Sequence, residues 1–220
     1  MGYGTIIAAG VTYRDDCPEG GKLLIDGGMK KANFVFYPGV YWNIARRILN
    51  NVNFIANLIA LRQWYQGVRL PFFQENFMSQ KLYAGALDKL DMAIDERINR
   101  LKALAHKMPQ SAEHYQKIVK EKNPQTLVNQ KRELFDNWQE IEDVLYVFRE
   151  NMVEAPEKNV FLEKVAQERK EKGSNYIKII QGLDQKWSAI GSTWLQSIVD
   201  EVNKGVLGKI PSFKNIDNRQ

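Results

Sequence analysis

Two histidines, one cysteine and a scatter of carboxylates are the groups through which this chain of 220 residues could do metal or covalent chemistry. Their spacing does not suit either. His106 and His114 stand on either side of Pro109. A zinc site needs further ligands at short spacing, and Cys17 is remote in sequence. A di-iron bundle carries Glu-x-x-His on two helices, but Ala103 and Ser111 occupy the positions three before the histidines. No metal and no cofactor is expected. Cys17 lies among Asp15, Asp16 and Glu19, whereas a reactive thiolate needs electropositive neighbours. Asp88, Asp91 and Asp95 share one helical face by spacing, and Glu96, Glu140, Glu142 and Asp143 are further acids of the same region. A catalytic carboxyl needs a tuned, pocketed environment; acids along long helices read as solvated faces. No catalytic residue is assigned, and the chain by itself is not expected to be an enzyme.

The cations are arranged more suggestively. The net charge is +5 and the isoelectric point about 9.1, yet no acid occurs between Asp26 and Glu75. That interval holds Lys30, Lys31, Arg46, Arg47, Arg62 and Arg69. An uncompensated run of this kind suits an anionic ligand such as a phosphate, a nucleotide, RNA or an acidic lipid surface. The other reading has the cations flank a buried helix and pair with acids of later helices. Trp64, Tyr65, Phe72, Phe73, Trp138, Trp187 and Trp194 could stack on bases beside the basic stretch. No nucleic-acid-binding signature accompanies them. Three of the tryptophans fall on helix seams, so core packing is expected and nucleic acid is not an expected partner.

The central element is the helix of residues 42–65. Ile44, Ile48, Val52, Ile55, Leu58 and Ile59 recur at helical spacing. Leu49, Phe54 and Leu61 extend the apolar surface round most of the helix, which predicts burial. Arginines and asparagines interrupt the run, so no membrane span is expected. Gly67 and Pro71 are read as its stop. Further helices are predicted over residues 76–106, 112–122, 126–152, 159–172 and 175–203, with breaks at Pro109, Pro124, Pro156 and Gly173. Gly205, Gly208 and Pro211 are read as ending the last one. Long stripes and short connections predict an antiparallel bundle.

Residues 1–38 differ in character. Seven glycines punctuate short β-type runs at 5–9, 11–13, 23–25 and 33–37. Thr5-Ile6-Ile7-Ala8-Ala9-Gly10-Val11 has the form of a hexapeptide-repeat turn, with Ile7 inward and Ala8 at a tight corner. Ala8-Ala9-Gly10 also matches the start of a sugar nucleotidyltransferase loop, but Val11-Thr12-Tyr13-Arg14 lacks that loop's second glycine, and no alternating βαβ pattern follows. About three stacked coils are needed to bury a β-helix face, and this segment has material for two. It is expected to be the tail end of a longer β-helix.

The run Tyr3–Thr12, with the stretch 41–69 and its Ile55-Ala56-Asn57-Leu58 and Trp64-Tyr65, resembles a bacterial family. Its members are UDP-N-acetylglucosamine pyrophosphorylase-related proteins with a left-handed parallel β-helix. The resemblance covers residues 3–69 and touches the later helices only in general character. It implies a β-helix lying mostly upstream, a helical region after it, and trimeric assembly; separately, the single cysteine, which allows no internal disulfide, fits a cytoplasmic setting. The resemblance implies a sugar-nucleotide ligand for the full-length, transferase-like protein, but the nucleotidyltransferase signature and a coil histidine are absent, so no catalytic residue is carried over. The expected fold is mainly α: coils resembling the last of a left-handed β-helix (1–42), a buried basic helix and connection (43–74), an antiparallel helical region (75–205) and a polar tail (206–220). The expected function is structural, capping the β-helix and joining protomers. The alternative is a binding module in which stretch 27–74 receives a sugar nucleotide or RNA.

Overall fold

A computed structural model describes residues 1–25, 32–42, 44–74, 76–118 and 125–213. They form two compact units, Met1–Tyr41 and Trp42–Gln220. The chain is mainly helical, with one small sheet.

The first unit is a three-stranded sheet in the order β1-β2-β3, with β1 at Ile6–Ile7, β2 at Lys22–Ile25 and β3 at Ala32–Val35. β1 pairs with β2 in parallel, Ile6 opposite Leu23 and Ile7 opposite Leu24. Parallel partners are usually joined through a helix; here the connection contains none. The start of the circuit lies against its end: Gly2 N donates to the Cys17 carbonyl at 2.7 Å and Gly21 N to the Tyr3 carbonyl at 3.0 Å. A Cβ on Gly2 would meet the Glu19 carbonyl carbon at 2.4 Å, and one on Gly20 would meet the Tyr3 oxygen at 2.4 Å. Only glycine allows this approach. β3 returns antiparallel on β2, with Leu23 opposite Phe34. The strand expected at residues 11–13 does not form. The apolar side chains buried here, among the described residues, are Cys17 and Leu24.

The second unit begins with α1 (Ile44–Trp64). Ile44, Ile48, Val52, Ile55 and Ile59 are buried, as the period predicts. The all-round apolar surface is not buried all round: Phe54 is 46% and Leu61 42% exposed. Then come α2 (Phe77–Ala105), α3 (Met108–Ile118), α4 (Gln125–Asp136), α5 (Trp138–Glu150), α6 (Pro156–Lys172), α7 (Tyr176–Gln181) and α8 (Gln185–Lys209). α1 packs chiefly on α8 and α2, and α8 also receives α5 and α6. These pairs run antiparallel. Asn53 meets Asn203 while Trp64 meets Trp194; Arg62 meets Asp91 while Arg97 covers Phe54. Among the described residues, no helix is long and apolar enough to cross a membrane.

The structure corrects several predicted boundaries. The break predicted at Pro109 is present, with α2 ending at Ala105, but α3 starts at Met108 and not at 112, so Pro109 lies in its first turn, where a missing N–H costs nothing. The helix predicted over 126–152 is split at Asn137, whose backbone (φ −97°, ψ 10°) leaves the helical region and whose Nδ2 donates to the Lys209 carbonyl at 2.8 Å. The last predicted helix is two: Gly182 ends α7, and Asp184 caps α8 by accepting from Trp187 N at 3.0 Å. Gly205 and Gly208 do not stop α8. A Cβ at Gly205 would lie 3.0 Å from Val144 Cγ1, so this glycine serves close packing against α5. The tail is not polar and frayed from residue 206: Val206, Ile210 and Phe213 are buried.

Candidate functional site

α1 does not end at Gly67. Five residues, Tyr65–Arg69, form a π turn in which Leu70 N donates to the Tyr65 carbonyl. A 3-10 turn, Leu70–Phe73, follows with Pro71 near its start. Such π turns are uncommon and recur at functional sites. A Cβ at Gly67 would meet Leu162 Cδ2 on α6 and Trp194 Cη2 on α8 at 3.4 Å, an ordinary contact distance. Beneath it Trp64, Phe161 and Trp194 form an aromatic cluster with centroids 5.5–6.2 Å apart.

The four described arginines of the basic stretch are not gathered into one site. Arg46 and Arg47 are exposed at the start of α1, a rise of ~23 Å from Arg62 at 1.5 Å per residue. Lys30 and Lys31 lie outside the described residues. Arg62 is bound internally: Nε donates to Asp91 Oδ1 at 2.6 Å and Nη1 to the Arg149 carbonyl at 2.9 Å. Arg149 in turn holds Asp95 and Glu150. Asp91 and Asp95, read as a solvated face, are therefore partners of arginines from α1 and α5. Gln63 completes this junction, accepting from Val153 N at 3.0 Å and donating to the Asn151 carbonyl at 3.2 Å.

Arg69 is held differently. Nη1 donates to the Tyr65 hydroxyl at 2.7 Å, and the guanidinium carbon lies 4.7, 5.4 and 4.6 Å from the ring centres of Tyr65, Phe73 and Tyr176. Its Nε is buried without a hydrogen-bond partner, and no carboxylate pairs with it among the described residues. Rings attract the cation but leave its charge uncompensated. Tyr176 connects this cage to a second arginine. The Tyr176 ring packs edge-on against Phe72 at 5.4 Å, and Arg169 of α6 rests over Phe72 at 5.5 Å.

Phe72 and Arg169 border a groove of about 390 Å³ between the π/3-10 segment and α6. Its walls are Val68 and Pro71 on one side and Leu162 and Val165 on the other; Arg169, Lys170 and Ser174 stand at one end. Pocket volumes of roughly 300–1,000 Å³ suit small ligands. The sequence reading missed this groove, because its two sides are about a hundred residues apart and neither carries a motif.

It also missed Lys131, although Val128, Lys131, Leu134 and Trp138 follow a helical stripe in which the lysine occupies an apolar position. Lys131 is fully buried. Its Nζ reaches the Ser111 carbonyl at a long 3.4 Å and lies 4.7 Å from the Tyr115 ring centre. Burial lowers its pKa to about 8. Perturbed amines of this kind mark functional sites in some proteins and structural compromises in others. Lys131 has no opening to solvent, which favours the structural role.

The remaining groups do not converge. His106 is exposed and packs edge-on against Phe135 at 5.9 Å. Cys17 Sγ is buried near the Glu19 carbonyl at 3.5 Å. Among the described residues, no three His, Cys, Asp or Glu side chains could hold a metal ion together. Comparison of the chain with protein-family models, with curated proteins and with solved structures finds no match in any of the three.

Proposed function

We propose that Met1–Tyr41 is a terminal coil segment of a left-handed parallel β-helix. On this reading the chain is the structural and assembly region of a UDP-N-acetylglucosamine pyrophosphorylase-related, transferase-like protein. By itself it is non-catalytic, cytoplasmic and trimeric. The observation that carries the reading is the helix-free parallel circuit from β1 to β2, glycine-stacked at its start. The thin core supports it. Among its described residues the unit buries two apolar side chains, a thin core for about 40 residues that calls for apolar surface from elsewhere. On the edge strand β1, Ile6 and Ile7 are 41% and 37% exposed on opposite faces of the sheet, so apolar area is left uncovered and Ile7, read as inward, is not enclosed by the described residues. β3, antiparallel on the other side of β2, departs from a regular coil and covers that edge instead.

The test is to charge the open edge. The double variant Ile6→Lys, Ile7→Lys is expected to reduce a trimer to monomers in sedimentation velocity while the helical circular dichroism stays unchanged. Unchanged sedimentation of the double variant would refute the edge as an assembly surface.

A second reading, a binding module for an anionic ligand such as a sugar nucleotide or RNA, rests on Arg69. Of the four arginines predicted for it, Arg62 is occupied by Asp91 and Arg69 is not paired with an acid. Binding of a nucleotide sugar that falls steeply with salt would support this reading; absence of binding at low salt would remove it.

A further inference from the structure

We propose that the groove between the π/3-10 segment and α6 binds a small amphipathic anion: a carboxylate or phosphate monoester carrying an apolar chain or ring. The site lies wholly within the second unit and stands independently of the assembly reading.

Three features point to this class of ligand. The first is the division of the groove into an apolar trough, lined by Val68, Pro71, Leu162 and Val165, and a cationic end with Arg169 and Lys170. Its volume of about 390 Å³ suits a ligand of modest size, not a polymer.

The second is that the cations at that end are not spoken for. Lys172 and Lys164 both pair with Glu168, but no carboxylate pairs with Arg169 or Lys170 among the described residues. The C-terminus of α6 lies here and contributes a partial negative charge of roughly one half. Lys164, Arg169, Lys170 and Lys172 outweigh that partial charge together with Glu168 and Glu171, so the last turns of α6 are net positive. Phe72 covers one face of the Arg169 guanidinium, which leaves the N–H edge free for bidentate contact with an oxyanion. Ser174 adds a hydroxyl at the same end.

The third is the backbone. A π turn followed directly by a 3-10 turn is an irregular way to leave a helix of 21 residues. Here it forms one wall of the groove through Gly67, Val68, Pro71 and Phe72. The opposite wall is regular helix, which holds Arg169 in a fixed relation to the trough.

The experiment is calorimetric titration of the whole chain with decanoate, decyl phosphate and decylammonium, each kept in monomeric solution. Decanoate or decyl phosphate is expected to bind one per chain, and the tighter of the two identifies the head group. Arg169→Gln is expected to weaken that binding tenfold or more, as loss of a charge-assisted contact does, and Arg169→Lys to weaken it less. Ala166→Phe, at an exposed position lining the trough, is expected to abolish binding without loss of helical circular dichroism. The proposal is overturned if neither anion binds at millimolar concentration. It is equally overturned if decylammonium binds as tightly as the anions, or if Arg169→Gln binds them unchanged.

Discussion

Substituting Lys131 by methionine is expected to stabilise the second unit by about 2–3 kcal/mol at pH 7, with the gain fading as the pH approaches 10.5. The lysine is fully buried; among the described residues its ammonium reaches a single carbonyl at 3.4 Å, and Tyr115 supplies a ring at 4.7 Å with no carboxylate paired to it. Burial brings the pKa from 10.5 to about 8; at roughly 1.4 kcal/mol per pH unit, carrying the charge into the fold costs ~3 kcal/mol. The sign follows from linkage. Below pH 8 the amine is charged in both states and the full cost applies. Between about 8 and 10.5 the unfolded chain binds more protons than the folded one, so wild-type stability rises with pH. Methionine has similar length and no charge, so its stability lacks this rise. Urea unfolding followed by tryptophan fluorescence at pH 7, 8, 9 and 10, on both proteins, measures the difference. Parallel curves would refute the reasoning. So would a methionine variant less stable at every pH, which would mean that the ammonium has a partner worth more than its desolvation.

Other consequences are simpler. Gly191→Ala would place a Cβ 2.7 Å from the Phe161 ring and is expected to destabilise by about 1–3 kcal/mol; Gly208→Ala, with open space around it in the same helix, is expected to stabilise by up to ~1 kcal/mol. Denaturation midpoints of the two variants check this contrast. Asp91→Ala removes the partner of Arg62, whose side chain is 11% exposed, and is expected to cost about 1–3 kcal/mol; Glu96→Ala, from the exposed pair with Arg100, is expected to change stability by less than ~0.5 kcal/mol. Burial raises the pKa of Tyr83 against a smaller lowering by Arg62. Its neutral form is thus favoured in the fold, and stability is lost as pH rises above the ordinary tyrosine value. Tyr83→Phe is expected to lose less stability than wild type between pH 9 and 11 in the same unfolding assay.

Helical periodicity was enough to place α1 and α2, because one face of each packs and spacing alone records that face; α6 was placed by its breakers, Pro156 and Gly173. The sequence reading misread other glycines. Gly205 looks like a stop, but its role depends on Val144 and Phe148, some sixty residues away, which no local rule sees. Asn137 was invisible for the same reason: its side chain satisfies the Lys209 carbonyl at the far end of α8. Charge reading found the acid-free stretch but not its fate, since Arg62 and Arg69 differ only in what the fold brings to them. For Arg62 that is a carboxylate, and for Arg69 three rings. Lys131 was the legible miss, a charged residue in phase with an apolar stripe. The groove was not legible, because Phe72 and Arg169 meet only through tertiary packing.

The central claim, that this chain is an assembly region built on a β-helix coil, is tested most directly by its molar mass in solution. Light scattering behind a sizing column is predicted to give three times the 25.4 kDa of one chain. A mass of 25.4 kDa at every concentration tested would contradict the claim, and would leave the helical unit as a monomeric binding module.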